Sequence, residues 1–389
     1  MRGHIVKRYK NSYTIVLNLG TDPATGKRKQ QWVSVKGNKK EAENRLAELL
    51  HQLDNGIFVK PTNTTLREYL ERWLKDYCES NLAPRTVEGY ENIVRHHLIP
   101  SLGQIYLTQL KPQHIQHVYS EKLAAGFSHR TVRYIHTTLR KSLQNALKMG
   151  MIARNPADAV EPPKVHHHEM KTMNESDIHI FLEFAKSTIY YPLFYLSLFT
   201  GMRRSELLAL RWCDVDLLLC HVSVTRTLHR LQDGSIIIRQ PKTEKGRRLL
   251  SLSPSTAIVL AEHRQQQEQL RQSIGLTLKE DDFVFCHEDR SPLLPNTVSH
   301  AWAKLASKVG LKGVRLHDAR HSHASLMLKQ GVHPKIVQER LGHASIQITL
   351  DTYSHVAPGL QQAAANHFDN VLLNKDKQSS ESAINEITG

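Results

Sequence analysis

The chain has 389 residues, 40% hydrophobic and 23% charged, and its 52 Lys and Arg against 37 Asp and Glu give a formal charge of +15. That length predicts two or three domains of ordinary size, and the composition is too apolar for a disordered tail and too polar for an integral membrane protein. The longest uncharged apolar stretch, Ser187 to Met202, falls short of the ~20 residues a bilayer span needs, no apolar signal core follows Met1, and four widely spaced cysteines without a CxxC pair argue against a disulfide framework or zinc ribbon, so a cytoplasmic protein is expected.

The charge is concentrated at the start. Residues 1–40 hold ten Lys or Arg against one acid, Asp22, which accounts for +9 of the total. Such a segment favours a polyanion partner, because neutralised phosphates release condensed counterions; on charge alone, a merely solvated basic face fits equally well. The pattern adds structure to it. Tyr9, Tyr13, Ile15 and Leu17 alternate as a half-buried strand, a turn follows through Asp22, Pro23 and Gly26, and Trp32, Val33 and Val35 form a return strand. Leu46, Leu49, Leu50 and Leu53 then recur at helical spacing, with Asn38 as cap and Gly56 as stop.

After Pro61 the pattern becomes helical. Leu66, Tyr69, Leu70, Trp73, Leu74 and Tyr77 make one apolar stripe capped by Thr64 or Thr65, and further helices are predicted around Thr86 to His97, Pro112 to Ala125 and Ser128 to Met149, the last stopped by Gly150. The aromatic residues sit at core spacing and read as packing groups. Arg130, Arg133, Arg140 and Lys141 can meet phosphates or simply solvate a helix face. Residues 155–173, NPADAVEPPKVHHHEMKTM, carry three prolines and mark an interdomain linker. His166, His167 and His168 do not make a metal site: neighbours on an extended linker point different ways, and no second ligand pair lies at ligand spacing.

The third region carries the chemistry. In TGMRRSELLALRW, residues 200–212, Gly201 breaks one helix so that Arg203 and Arg204 open the next and can face an anion together with its amides; an ordinary ion pair to Glu206 is the bland alternative. A hairpin is predicted from Val222 to Thr227, turning at Asp233-Gly234 and returning through Ile236 to Ile238, with Lys242 of PKTEKGRR on the turn beyond. In LHDARHSHASL, residues 316–326, His317 and Arg320 share a helix face; in LGHASIQITLDTYSHV, residues 341–356, His343 follows a glycine and Tyr353 comes ten residues later.

Taken together, Arg203, Lys242, His317, Arg320, His343 and Tyr353 resemble the active-site signature of the tyrosine recombinases, the family of phage and transposon integrases. The resemblance spans essentially the whole chain. It rests on TGMRRSE, HDARHSHAS, LGHAS and LDTYSH in that order. It implies a mainly α fold with small β elements (α+β): an arm-DNA-binding domain of a three-stranded sheet plus helix at 1–58, a helical core-binding domain at 62–160, a linker at 161–173, a mixed α/β catalytic domain at 174–372 and a polar tail at 373–389. Met202 and Ala319 stand where the family often has Leu, and Lys245 lies close enough to take the place of Lys242.

The resemblance also implies a mechanism. Tyr353 would attack the phosphodiester and form a 3′-phosphotyrosyl link, Arg203 and Arg320 would stabilise charge on the nonbridging oxygens, Lys242 would protonate the leaving 5′ oxygen, and His317 and His343 would hydrogen-bond the phosphate or assist proton movement. One ester replaces another, so no ATP, metal or other cofactor is expected. The expected partners are double-stranded DNA attachment sites, a homotetramer on paired sites, and accessory DNA-bending or excision factors. The alternatives are a type IB topoisomerase-like activity and a noncatalytic DNA-binding regulator that keeps the fold.

Overall fold

The computed structural model describes residues 3–21, 26–54, 63–165, 170–241 and 243–353, together with Ala365, Phe368 and Asp369. Asp22, Pro23, Gly56, the three linker histidines, Lys242 and the tail from Asn374 lie outside these residues. The chain divides into two compact units, 1–167 and 168–389.

The first unit opens with strands β1 (Gly3–Tyr9), β2 (Ser12–Thr21) and β3 (Arg28–Lys36), paired antiparallel in that order. The alternation from Tyr9 to Leu17 is therefore not one strand. The chain turns at Asn11, whose φ of 61° lies in the left-handed region that a short polar side chain tolerates. Ile15 and Leu17 are buried against Leu49 of helix Lys39–Asp54, whereas Tyr9 and Trp32 are 78% and 53% exposed. Asn38 starts that helix by reciprocal bonding: its Oδ1 accepts from the Glu41 amide at 2.9 Å, and its own amide donates to Glu41 Oε2 at 3.1 Å.

The same unit then forms a helical bundle. Thr65 and Glu68 cap helix Leu66–Arg72, which runs on through a wide π-type turn, Trp73–Cys78. Helices Pro84–Ile93, Pro112–Ala124 and His129–Lys148 follow, the last capped by Ser128. The aromatic side chains pack, as their spacing indicates: Trp73 stacks on Tyr90 at 5.6 Å, and the Tyr69 hydroxyl donates to the Ser142 carbonyl. Arg140 pairs with Asp158 at 2.7 Å and Lys141 lies 5.3 Å over the Tyr90 ring, while Arg130 and Arg133 are exposed. The proline-rich passage is shorter as a connector than its composition indicates, because Pro156 and Ala157 are buried and Val160 joins the bundle core.

In the second unit, helices Glu175–Ala185, Tyr191–Thr200, Pro254–Ser273 and Pro295–Lys308 enclose a core that includes Phe181, Phe194, Leu260 and Trp302, with the Phe181 and Trp302 ring centroids 4.2 Å apart. Two small sheets flank it. Strands β4 (Val215–Asp216), β5 (His221–Val224) and β8 (Arg248–Ser251) form one, in the order β4-β5-β8, and β6 (Thr227–Arg230) pairs with β7 (Ile236–Arg239) in the other. The stretch from Val222 to Thr227 is thus split between sheets. Thr225 and Arg226 lie between the two sheets, where their side chains anchor the crossing to Asp214: its carboxylate accepts from Thr225 Oγ1 at 3.0 Å and Arg226 Nη1 at 2.6 Å. The turn at Asp233-Gly234 forms as predicted, with Gly234 at φ 89° and Asp233 Oδ1 accepting from the Ser235 amide at 2.8 Å.

The far end of the proline-rich passage also belongs to this unit: Met173 is buried in its core, with its amide donating to Ser322 Oγ at 2.8 Å. Helices Leu316–Lys329, Pro334–Leu341 and Ile346–Tyr353 complete the unit. Among the described residues no helix is long and apolar enough to cross a membrane.

Candidate active site

Two helix ends build the site. Helix Tyr191–Thr200 stops at Gly201 and helix Pro334–Leu341 stops at Gly342, with φ values of 65° and 68° that favour glycine. A helix C-terminus leaves carbonyls without intrahelical partners and with partial negative charge, so it attracts cationic donors. At the first end, Gly201 O accepts from Arg320 Nη1 at 2.8 Å and Phe199 O from Arg340 Nη2 at 3.0 Å. His323 Nδ1 donates to Leu198 O at 2.9 Å while its Nε2 accepts from Arg340 Nε at 3.2 Å, which fixes a neutral tautomer.

The second end is more ordered still. Five consecutive carbonyls each accept from a different side chain: Arg340 O from Arg248 Nε at 2.7 Å, Leu341 O from Arg320 Nη2 at 2.7 Å, Gly342 O from Arg203 Nη2 at 3.3 Å, His343 O from Gln338, and Ala344 O from Lys245 Nζ at 2.8 Å. Four cations from three remote stretches of sequence are thereby set side by side on one turn of backbone.

Gathering like charges needs an anion, and Glu206 supplies it. Only 2% exposed, its carboxylate accepts from Arg203 Nη1 at 2.8 Å and from Arg248 Nη1 and Nη2 at 3.2 and 2.9 Å. Burial pushes the Glu206 carboxyl up, but the Arg248 hydrogen bonds and the charges of Arg248 and Arg203 outweigh it and hold the group below its ordinary range. Arg320 is 3% exposed; burial first, and then the like charge of Arg203, pull it down to about 9, so it stays charged at neutral pH.

Tyr353, the last residue of its helix, is 1% exposed. Its hydroxyl lies 2.8 Å from His321 Nδ1. Burial pushes the phenol up to about 12, with Arg320 acting in the opposite direction. His343 bonds Thr349 Oγ1 through Nδ1 at 2.9 Å, and Thr349 and Tyr353, one turn apart, are the buried positions of that helix. Burial, then Arg320, holds His343 down to about 4; burial, then His317, does the same for His321. Both are neutral imidazoles at pH 7. His317 is exposed, and its ring packs edge-on against His321 at 4.9 Å. The whole is a largely buried cluster of guanidinium groups and neutral imidazoles near a phenol, a set suited to an oxyanion that gains charge. Among the described residues no group of three His, Cys, Asp or Glu is placed to hold a metal ion.

Five of the six residues singled out from sequence, Arg203, His317, Arg320, His343 and Tyr353, meet here; the sixth, Lys242, lies outside the described residues. Arg204 departs from the expectation that it faces an anion beside Arg203. It turns away, donating to Ser299 Oγ at 2.6 Å and Pro295 O at 3.1 Å. Nor is the amide at that helix start open to an anion, since the Arg203 N–H donates to Glu206 Oε2 at 2.8 Å. The sequence reading missed Arg248, His321 and Arg340 and left Glu206 as an ordinary ion pair. Glu206 alone had a usable signal, the three-residue offset of a capping box.

The model of the phage integrase family matches residues 165–359, and that of a phage integrase N-terminal SAM-like domain matches residues 65–123. The ICEBs1 integrase of Bacillus subtilis (strain 168) is 27% identical over 370 residues, covering 94% of this chain and 100% of that protein. A XerC-like tyrosine recombinase of Caldanaerobacter subterraneus subsp. tengcongensis is 28% identical over 388 residues, covering 95% and 98%. The solved structure of the Tn1549 transposon integrase in complex with a circular intermediate DNA shares the fold with a TM-score of 0.67 at 19% identity, over 79% of this chain and 99% of that one.

Proposed function

The chain belongs to the phage integrase family, the tyrosine recombinases, and from that premise we propose that Tyr353 is the nucleophile with which it opens and reseals DNA. The activity itself is site-specific recombination of mobile-element DNA. The observation that carries the residue assignment is the row of carbonyls from Arg340 to Ala344, which holds Arg203 and Arg320 side by side, with His321, next to Arg320, bonded to the Tyr353 hydroxyl.

In this reading Tyr353 Oη bonds to phosphorus as the bond from phosphorus to the 5′ oxygen breaks. Charge grows on the nonbridging oxygens, and the Arg203 and Arg320 guanidinium groups, oriented by their carbonyl partners, stabilise it. The phenolic proton passes by way of His317 or His343 to solvent as Lys242 gives its own proton to the departing 5′ oxygen, and the same two imidazoles bond the phosphate. The strand stays joined to the protein through a 3′-phosphotyrosyl ester, so the incoming 5′ hydroxyl reverses the step with no external energy source.

The remaining assignments rest on the same resemblance. The basic sheet and helix at 1–58 bind accessory arm-type DNA sites, the bundle at 62–160 grips the core site, and four protomers act on paired sites with accessory bending or excision factors. Arg8, 5.5 Å over the exposed Trp32 ring, supports a DNA-facing surface on the sheet.

A nicked suicide duplex, cut from the element's own junction, tests the nucleophile. Wild type traps a covalent adduct that maps to the Tyr353 peptide, and Tyr353→Phe traps none. Equal trapping would overturn the assignment, and DNA binding without an adduct from either would return the chain to a regulator. Deleting residues 1–58 should weaken accessory-site binding and lower its salt slope while core cleavage persists.

A further inference from the structure

His321 is absent from the set of groups given a role above, yet it is the side chain that holds the Tyr353 hydroxyl, 2.8 Å from its Nδ1. The two rings lie 5.7 Å apart and tilted, so the contact runs through the polar edge of the imidazole. His321 follows Arg320 on helix Leu316–Lys329, and its ring meets that of His317 at 4.9 Å in a T-shaped contact, so it is braced between His317 and Tyr353. A phenol whose O–H is committed to a nitrogen acceptor keeps its oxygen lone pairs on the opposite side. That orientation is what an in-line attack on phosphorus requires.

We propose that His321 is the positioning residue of the nucleophile: its Nδ1 accepts the Tyr353 hydroxyl proton in a hydrogen bond and turns the oxygen lone pairs toward the scissile phosphate. This rests on the reading of Tyr353 as nucleophile. Burial and the His317 ring, which hold His321 down to about 4, keep the imidazole neutral near pH 7, and in its Nε2–H tautomer Nδ1 is the acceptor that faces the Tyr353 hydroxyl. An acceptor that is neutral near pH 7 also fits a role in orientation better than a role as base toward a phenol pushed up to about 12.

The test compares two amides. Asn at 321 places its carbonyl oxygen where Nδ1 stands, while Gln places its polar group where Nε2 stands and leaves carbon at the Nδ1 position. Full-length His321→Asn, His321→Gln, Tyr353→Phe and wild type are compared in single-turnover adduct formation on the nicked suicide duplex, with DNA affinity measured alongside. His321→Gln should slow adduct formation on the order of 10²-fold, as expected for a misplaced reacting atom, and His321→Asn should stay within about 10-fold of wild type. A second duplex with sulfur in place of the bridging 5′ oxygen needs no proton on its leaving group, and the His321→Gln defect should persist on it. Asn as slow as Gln, Gln as fast as wild type, or rescue by the bridging sulfur would each overturn the proposal. Adduct formation by Tyr353→Phe would instead overturn the underlying assignment of the nucleophile, so the two failures are distinguishable.

Discussion

Glu206 is held by Arg248 through both carboxylate oxygens, at 3.2 and 2.9 Å, with the two side chains only 1% and 7% exposed. Arg203 Nη1 shares the Oε1 oxygen of the same carboxylate, at 2.8 Å. Glu206→Gln removes the counter-charge from buried guanidinium groups, which should cost about 3–5 kcal/mol in denaturant unfolding. The pH dependence has a definite sign. A carboxyl held below its ordinary range stabilises the fold above that range and loses its contribution as pH falls through it. The gap between wild type and Glu206→Gln should therefore close on acidification below about pH 4. A gap independent of pH would show that the ionised pair is not the source.

Gly201→Ala meets two obstacles. The backbone sits at φ 65°, and an added Cβ would come within 2.8 Å of Leu341 Cδ2 and 2.9 Å of His323 Cδ2. The left-handed conformation alone costs about 1–2 kcal/mol. The clash should add to it by pushing Leu341 and the turn that follows. Adduct formation should fall with stability, because Arg320 bonds both Gly201 O and Leu341 O. An unchanged melting temperature would refute the packing account.

Acid sensitivity should have a histidine component. His321 and His343 are held down to about 4 and His323 to about 3, against an ordinary value of 6.5, in each case chiefly by burial. The unfolded chain therefore binds protons there before the folded one does. Stability is at its full value above about pH 6.5 and falls as pH drops toward 4. Calorimetry across that window should show the melting temperature declining, with net proton uptake on unfolding. A flat profile from pH 7 to 5 would contradict the buried neutral imidazoles.

Arg320→Lys keeps the charge and loses the fork. Nη1 and Nη2 of Arg320 are bound to carbonyls on two different helix ends, and a single ammonium cannot span both while facing a phosphate. Adduct formation should fall on the order of 10²–10³-fold, the usual effect of losing one oriented donor at a developing oxyanion. DNA affinity should change little. Comparable cleavage by the lysine variant would remove Arg320 from charge stabilisation.

Periodicity made the bundle readable, because Leu66, Leu70 and Trp73 declare a buried face without reference to the rest of the chain. The site was readable for a different reason: Arg203, Arg320, His343 and Tyr353 sit in compact local motifs. What stayed hidden depends on partners distant in sequence. Arg248 meets Glu206 42 residues away and Arg340 92 residues away, and His321 meets Tyr353 across 32. The break between β5 and β6 was hidden likewise, since the residues at the crossing, Thr225 and Arg226, are anchored to Asp214, 11 and 12 residues back.

The row of acceptors from Arg340 to Ala344 is peptide rather than side chain, so its spacing is that of the polypeptide itself. Adding or removing one residue there would shift Arg248, Arg320, Arg203 and Lys245 out of step together, a defect that no compensating point substitution at any one of them repairs. Length, more than residue identity, is what this short segment has to preserve.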